Sequence, residues 1–221
     1  MSTQHNSSDD IADKAGTVTR ISFQKKRTDR RSIFIDNEYA FSVSEQTYLS
    51  FPLHEGQQLT VKQISAIRNH EDYEKAKEIT LRYLGIRMRS EYELTRYLQK
   101  KEYRKQVITR VVNYCQERGY LDDTKYTEML SRDMVNINRY GKNKIYAMLR
   151  KRGISSETIT PVLNKQIDQN EQLKIALELA QKKLKIIKDE TKAREKIYRY
   201  LNQRGFNYSI VNEVINRLFK Y

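Results

Sequence analysis

One five-residue apolar pattern occurs three times in this chain, offset by 51 and then 52 residues, with no gap inside any copy. Leu94, Leu98, Tyr103, Ile108 and Val111 lie over Ile145, Leu149, Ile154, Ile159 and Val162, and these lie over Ile197, Leu201, Phe206, Val211 and Val214. Self-similarity at such a period marks an array of one supersecondary unit, so the fold is read from the unit before the whole.

Within each copy the first helix of the matched pair ends in related chemistry. Leu149-Arg-Lys-Arg-Gly153-Ile154 and Leu201-Asn-Gln-Arg-Gly205-Phe206 place a glycine shortly after an apolar anchor. This is the Schellman arrangement, in which glycine takes the left-handed conformation and the next apolar residue folds back on the last turn. Leu98-Gln-Lys-Lys-Glu102-Tyr103 keeps the apolar contact but has Glu for Gly, so its turn is expected to be looser or differently shaped. Gly119-Tyr120 ends another helix in the same way. Helix starts are marked by the capping box Ser90-Glu-Tyr-Glu93 and by Asp122, Ser155 and Asn207 ahead of apolar runs. A further helix upstream of each pair, near 72–86, 122–138 and 170–187, makes three helices per unit and nine in all.

The segment before the repeats has a different character. Residues 1–16 are polar without period and are expected to form a disordered tail. Val18–Phe23, Ile33–Ile35 and Tyr39–Val43 alternate as short strands, with hairpin-turn chemistry at Asp36-Asn37. Thr60-Val-Lys-Gln63 is a capping box for a short helix that ends before a linker, Arg68-Asn-His70. The basic cluster Lys25-Lys-Arg27 with Arg30-Arg31 is expected at a hairpin tip, as solvated charge. The expected architecture is therefore mainly α: an elongated array of three tandem three-helix repeats (71–121, 122–168 and 169–221) after a small α+β module at 17–70.

Charge points to the kind of partner. The 42 Lys and Arg against 28 Asp and Glu give a net charge of +14, and residues 71–221 carry +13 of it. So one-sided a field attracts polyanions or acidic protein surfaces and weakens with salt. The single cysteine, Cys115, allows no internal disulfide and agrees with a reducing cytoplasm. No apolar run is long enough for a membrane span, and the expectation is a cytoplasmic monomer.

Catalytic constellations are hard to find. His5, His54 and His70 fall in tail, loop and linker contexts, and there is no Gly-rich phosphate loop or nucleophile elbow. Asp122-Asp123 with Glu128 and Asp133 could hold a divalent cation, but a helix start explains the aspartates better. No catalytic residue, metal ligand or cofactor is assigned. Most tyrosines adjoin the apolar face and read as packing, with Tyr140 and Tyr146 left for contact. Lys144–Leu163 also suggests a helix-turn-helix, yet its second helix offers few side chains to read bases.

The ordered series Leu84–Ser90 (LGIRMRS), Glu93-Leu94, Gly119-Tyr-Leu-Asp-Asp123, Tyr126, Arg132, Tyr140-Gly-Lys142, Ile145, Leu149 and Lys151-Arg-Gly-Ile154 resembles the RecX regulatory proteins, modulators of the RecA recombinase. Thr127 and Arg152 stand where that family commonly has Ala and Lys. The strand-containing module resembles the longer form of some Gram-positive members. The resemblance implies a non-enzymatic protein that lies in the groove of the RecA–DNA filament and lowers its ATPase, coprotease and strand-exchange activities. It also implies contacts to single- and double-stranded DNA through the backbone. The candidate contacting set is Arg87, Arg89, Lys100, Lys101, Arg104, Lys142, Lys144, Arg150, Lys151 and Arg152. Two alternatives stand beside it: an architectural or transcription-regulatory protein acting on DNA directly, and a metal-dependent nuclease built on Asp122 and Asp123.

Overall fold

A computed structural model describes residues 14–24, 27–188 and 190–219. It divides into two compact units. One holds the chain up to Ile86 together with Leu98–Tyr114, and the other holds Arg87–Tyr97 together with the chain from Cys115 onward.

In the first unit, β1 (Gly16–Phe23), β2 (Arg30–Ile35), β3 (Glu38–Ser44) and the short β4 (Gln58–Leu59) form one antiparallel sheet in the order β3-β2-β1-β4. Asp36 and Asn37 take φ of 49° and 70° between the paired residues Ile35 and Glu38, as a two-residue hairpin loop requires. The alternation in the strands sends Val18, Ile33, Phe41 and Val43 to one face, where they meet Ile64 and Ile67. Helix α1 (Glu45–Ser50) follows β3. Helix α2 (Val61–Ile86) then runs without a break through the expected linker. Its start is the expected capping box, with the Thr60 amide donating to Gln63 Oε1 at 2.9 Å. The polar run that suggested a linker is a helix face engaged in contacts. Arg68 donates to the Ala40 carbonyl, His70 meets Thr47 Oγ1 and Asn69 accepts from Arg104.

The expected tail falls largely on residues 1–13, outside the described residues, as do Lys25 and Lys26. Arg30 and Arg31 do not sit at a hairpin tip. Both lie in β2, and Arg30 is buried against Glu71 of α2 at 2.7 Å. Glu71 also accepts from the amide and hydroxyl of Ser44. Burial raises its carboxyl, but the Ser44 amide and the Arg30 charge outweigh it and hold it below the ordinary value.

The remaining helices are α3 (Glu91–Gln99), α4 (Lys105–Glu117), α5 (Asp123–Asn136), α6 (Lys142–Lys151), α7 (Ser156–Gln166), α8 (Gln169–Leu184), α9 (Ala193–Gln203) and α10 (Tyr208–Leu218), with a short 3₁₀ turn before α9. Helices α2 to α10 make up three three-helix domains. In the second α5 and α6 pack on α7, and in the third α8 and α9 pack on α10. Fourteen of the fifteen repeated positions are buried, and Tyr103 is half-buried. The second and third domains share one continuous apolar core, from Tyr126 and Met134 through Ile145 and Leu149 to Ile197, Leu201 and Val214. The expected caps are present at Ser90, Asp122, Ser155 and Asn207.

One turn departs from expectation. Glu102 has φ of 62° and closes the same two bonds as the glycine turns: its amide to the Gln99 carbonyl, and the Tyr103 amide to the Leu98 carbonyl. Gly153 and Gly205 make the corresponding bonds at φ of 79° and 84°. The turn after α3 is therefore neither looser nor differently shaped. Glycine in the other copies answers a second demand, close approach. A Cβ on Gly153 would fall 2.1 Å from Tyr92 Cβ, and one on Gly205 would fall 2.3 Å from the backbone nitrogen of Lys144. Glu102 itself is exposed, so only the left-handed strain opposes its side chain.

Candidate binding surface

The second unit is built around a joint that occurs twice. The turn ending the middle helix of one repeat seats against the start of the middle helix of the repeat before it. In the first instance Ser90 Oγ donates to the Arg152 carbonyl at 2.6 Å, and Tyr92 lies over Gly153. In the second, the Gly141 amide donates to the Arg204 carbonyl at 2.8 Å and the Asn143 amide to the Gly205 carbonyl at 2.9 Å. Ser90 and Gly141 are 51 residues apart and Arg152 and Arg204 are 52 apart, so the joint repeats with the sequence.

Charge is organised around the first joint. Glu93 Oε1 accepts from Arg87 Nη2 at 2.7 Å and lies 3.7 Å from Arg152 Nη1. Its Oε2 accepts from the Ser90 amide and from the Tyr126 hydroxyl, which itself accepts from Arg152 Nη1 at 2.7 Å. Burial pushes the Glu93 carboxyl up. The hydrogen bonds from Arg87, Ser90 and Tyr126 outweigh it, and the carboxyl stays below the usual range. Burial, and then the Glu93 charge, raise the Tyr126 phenol. Asp123 is raised by burial and by the nearby charges of Glu91, Asp122 and Glu93, although the Glu91 amide donates to it at 2.9 Å. Asp122 accepts from the amides of Thr124 and Lys125 as the cap of α5, the helix-start role expected of it.

The ten candidate cations are thus placed in different settings. Arg87 and Arg152 converge on Glu93 inside the first joint. Lys142 donates to Asn164 at 2.6 Å, Lys144 lies over the Tyr140 ring at 4.2 Å, and Arg150 donates to the Ile154 carbonyl. Lys151 is exposed, and with Asn143, Ala147 and Arg150 it forms the solvent face of α6, a helix about 15 Å long. Arg89 is half-buried. Lys100 and Lys101, both exposed, and Arg104, which reaches Asn69, belong to the other unit. Tyr140 lies between Lys144 and Arg204, and the Tyr146 hydroxyl meets Ser156, so both aromatics spend their polar or π face inside the fold.

The joints are not legible in the local sequence. Ser90 and Arg152 are 62 residues apart, and no local pattern announces their pairing. The usable signal was the repeat itself, since the residues that meet hold matching positions in adjacent copies. Among the described residues, no helix is long and apolar enough to cross a membrane.

Fold and surface define a class: a basic helical-repeat protein in which three-helix domains follow a strand-built module, joined turn to helix start. Four family models match it in chain order: the regulatory protein RecX N-terminal domain over residues 16–60, and the first, second and third RecX three-helix domains over 76–115, 122–163 and 170–215. The chain belongs to the RecX family of regulatory proteins. Regulatory protein RecX of Clostridium acetobutylicum is 32% identical over 208 residues, covering 92% of this chain and 96% of that one. The Bacillus velezensis protein of the same name is 32% identical over 90% of this chain and 76% of its own. A crystal structure of regulatory protein RecX superposes with a TM-score of 0.73 at 28% identity, covering 90% of this chain and 98% of that one. RecX from Lactobacillus salivarius shares the fold, with a TM-score of 0.62 over 67% of this chain and 97% of its own.

Proposed function

We propose that the protein is a negative regulator of homologous recombination and DNA repair. It binds the RecA nucleoprotein filament and lowers its ATPase, coprotease and strand-exchange activities without catalysing a reaction of its own. The observation that carries this reading is the ordered match of all four RecX domains, together with a net charge of +13 confined to the repeats. Many separate weak contacts to acidic subunit surfaces and DNA phosphates sum through effective concentration, so no deep pocket is needed.

The contacting set divides by its surroundings. Arg87 and Arg152 hold the first joint together, so replacing them would confuse loss of fold with loss of contact. Lys100, Lys101 and Lys151 are exposed, and they form the clean test. Reversing all three to glutamate is expected to weaken inhibition of filament ATPase by at least tenfold in the concentration required, with helical content unchanged. The wild-type inhibition is expected to fall as salt rises. Undiminished inhibition by the triple variant would leave these lysines as ordinary solvated charge.

A further inference from the structure

The three most exposed large apolar side chains among the described residues are isoleucines, one in each three-helix domain: Ile86 at 78%, Ile137 at 74% and Ile186 at 73%. All three stand at the end of the first helix of their domain. Ile86 is the last residue of α2, Ile137 follows α5 directly, and Ile186 lies two residues beyond Leu184, the end of α8. Ile86 and Ile137 are 51 residues apart, which is the repeat offset itself; Ile186 comes 49 later, three short of the second offset of 52. A single exposed apolar residue is ordinary on a protein surface. Recurrence at one place in three copies is not, and the fold does not account for it. An apolar residue just past a helix commonly folds back on the last turn, as the buried Ile154 and Phe206 do, but these three are left in water. Ile187 packs against the core of the second and third domains, and Ile186 beside it does not. Nor does helix propensity favour isoleucine there over lysine or glutamine. Basic side chains adjoin each one: Arg87 beside Ile86, Arg139 two residues after Ile137, and Lys185 and Lys188 on either side of Ile186.

We infer that Ile86, Ile137 and Ile186 are apolar anchors for a protein partner whose surface offers shallow apolar pockets edged by carboxylates. The inference rests on the filament reading above, since a filament of identical subunits presents the same pocket more than once. Charge draws the two surfaces together and is screened by salt. Burial of isoleucine adds contact that salt does not screen, so the anchors decide which anionic polymer is held. A duplex offers an apolar side chain no pocket unless its bases are unstacked, and the anchors therefore select protein over nucleic acid.

The test is inhibition of filament ATPase by the full chain carrying I86T, I137T and I186T, set against binding of the same variant to labelled duplex DNA without recombinase. Threonine keeps the branched shape at Cβ and removes apolar surface. Each single change is expected to raise the concentration needed for inhibition roughly tenfold, and the three together roughly 100-fold or more. Duplex binding and circular dichroism should stay as in the wild type. The conservative set I86V, I137V and I186V should keep most of the inhibition. A control with Leu49→Thr and Tyr208→Thr, at residues 68% and 70% exposed, should keep all of it. If the wild type inhibits and the threonine variant inhibits equally well, the inference is overturned and the filament reading stands. A wild type that does not inhibit overturns both. The inference also fails if the control loses as much as the triple variant, or if duplex binding falls in step with inhibition, which would make the isoleucines contacts to nucleic acid.

Discussion

The two joints of the second unit share one geometry and are made of different chemistry. At the first, side chains do the joining: the Ser90 hydroxyl takes the Arg152 carbonyl, and Glu93 gathers Arg87, Tyr126 and Arg152 around it. At the second, backbone amides of Gly141 and Asn143 take the Arg204 and Gly205 carbonyls, and the Arg204 side chain reaches the Asn138 and Arg139 carbonyls. One position conserves the backbone path while the other changes what holds it. A side-chain joint can be loosened by protonation or by substituting one hub residue, whereas the amide–carbonyl bonds of a backbone joint are disturbed chiefly by steric intrusion.

The contrast is broken most forcefully at Gly205. Gly205→Ala adds left-handed strain and drives a methyl into the helix backbone at Lys144, an expected loss of about 2–5 kcal/mol in denaturant unfolding. Gly153→Ala drives its methyl to 2.1 Å from Tyr92 Cβ, an atom that no side-chain rotation moves, and a loss of the same order is expected. A much smaller loss at Gly153 would show that the first joint yields where the second does not.

Next in size is Glu93→Gln. It leaves Arg87 and Arg152 without their carboxylate, and about 2–3 kcal/mol should be lost. Amide exchange at Ser90 and Glu93 should speed up while that at Gly141 and Asn143 stays slow. Comparable acceleration at both joints would mean they open together.

Acid should discriminate between the joints in the same direction. Glu93 has a folded-state pKa below its unfolded value, so its contribution is present in full above the unfolded pKa and is lost as pH falls through the folded one. Asp123 runs the other way: its raised carboxyl costs stability at neutral pH, and that cost is relieved by protonation. Unfolding measured from neutral pH down through the carboxylate range should therefore show a Glu93-dependent loss that is absent in Glu93→Gln. An identical pH profile in both proteins would remove Glu93 from the account.

The smallest effect is a gain. Glu102→Gly relieves the left-handed strain with no close neighbour to lose, and about 0.5–1 kcal/mol of added stability is expected. A loss instead would mean that the Glu102 side chain stabilises its turn.

What the sequence disclosed was whatever is decided within a few residues. The caps at Ser90, Asp122, Ser155 and Asn207, the hairpin at Asp36-Asn37 and the repeated buried positions all rest on local geometry or helical period. Partners far along the chain were hidden. Arg30 read as loop charge because Glu71, which buries it, lies 41 positions away. Arg68-Asn-His70 read as a linker because its polarity was visible and its contacts to Ala40, Thr47 and Arg104 were not. The binding set mixed two populations for the same reason, since nothing near Arg152 in sequence reveals that it faces Tyr126 and Glu93.

A module that seats its closing turn in the opening of its predecessor is complementary to itself, and identical chains of such modules could add end to end into fibres. The turn after α3 differs from the two that are seated. Where the two seated turns have no space even for a methyl group, Glu102 carries a whole charged side chain. A turn that carries such a side chain lacks the close fit by which the other two seat.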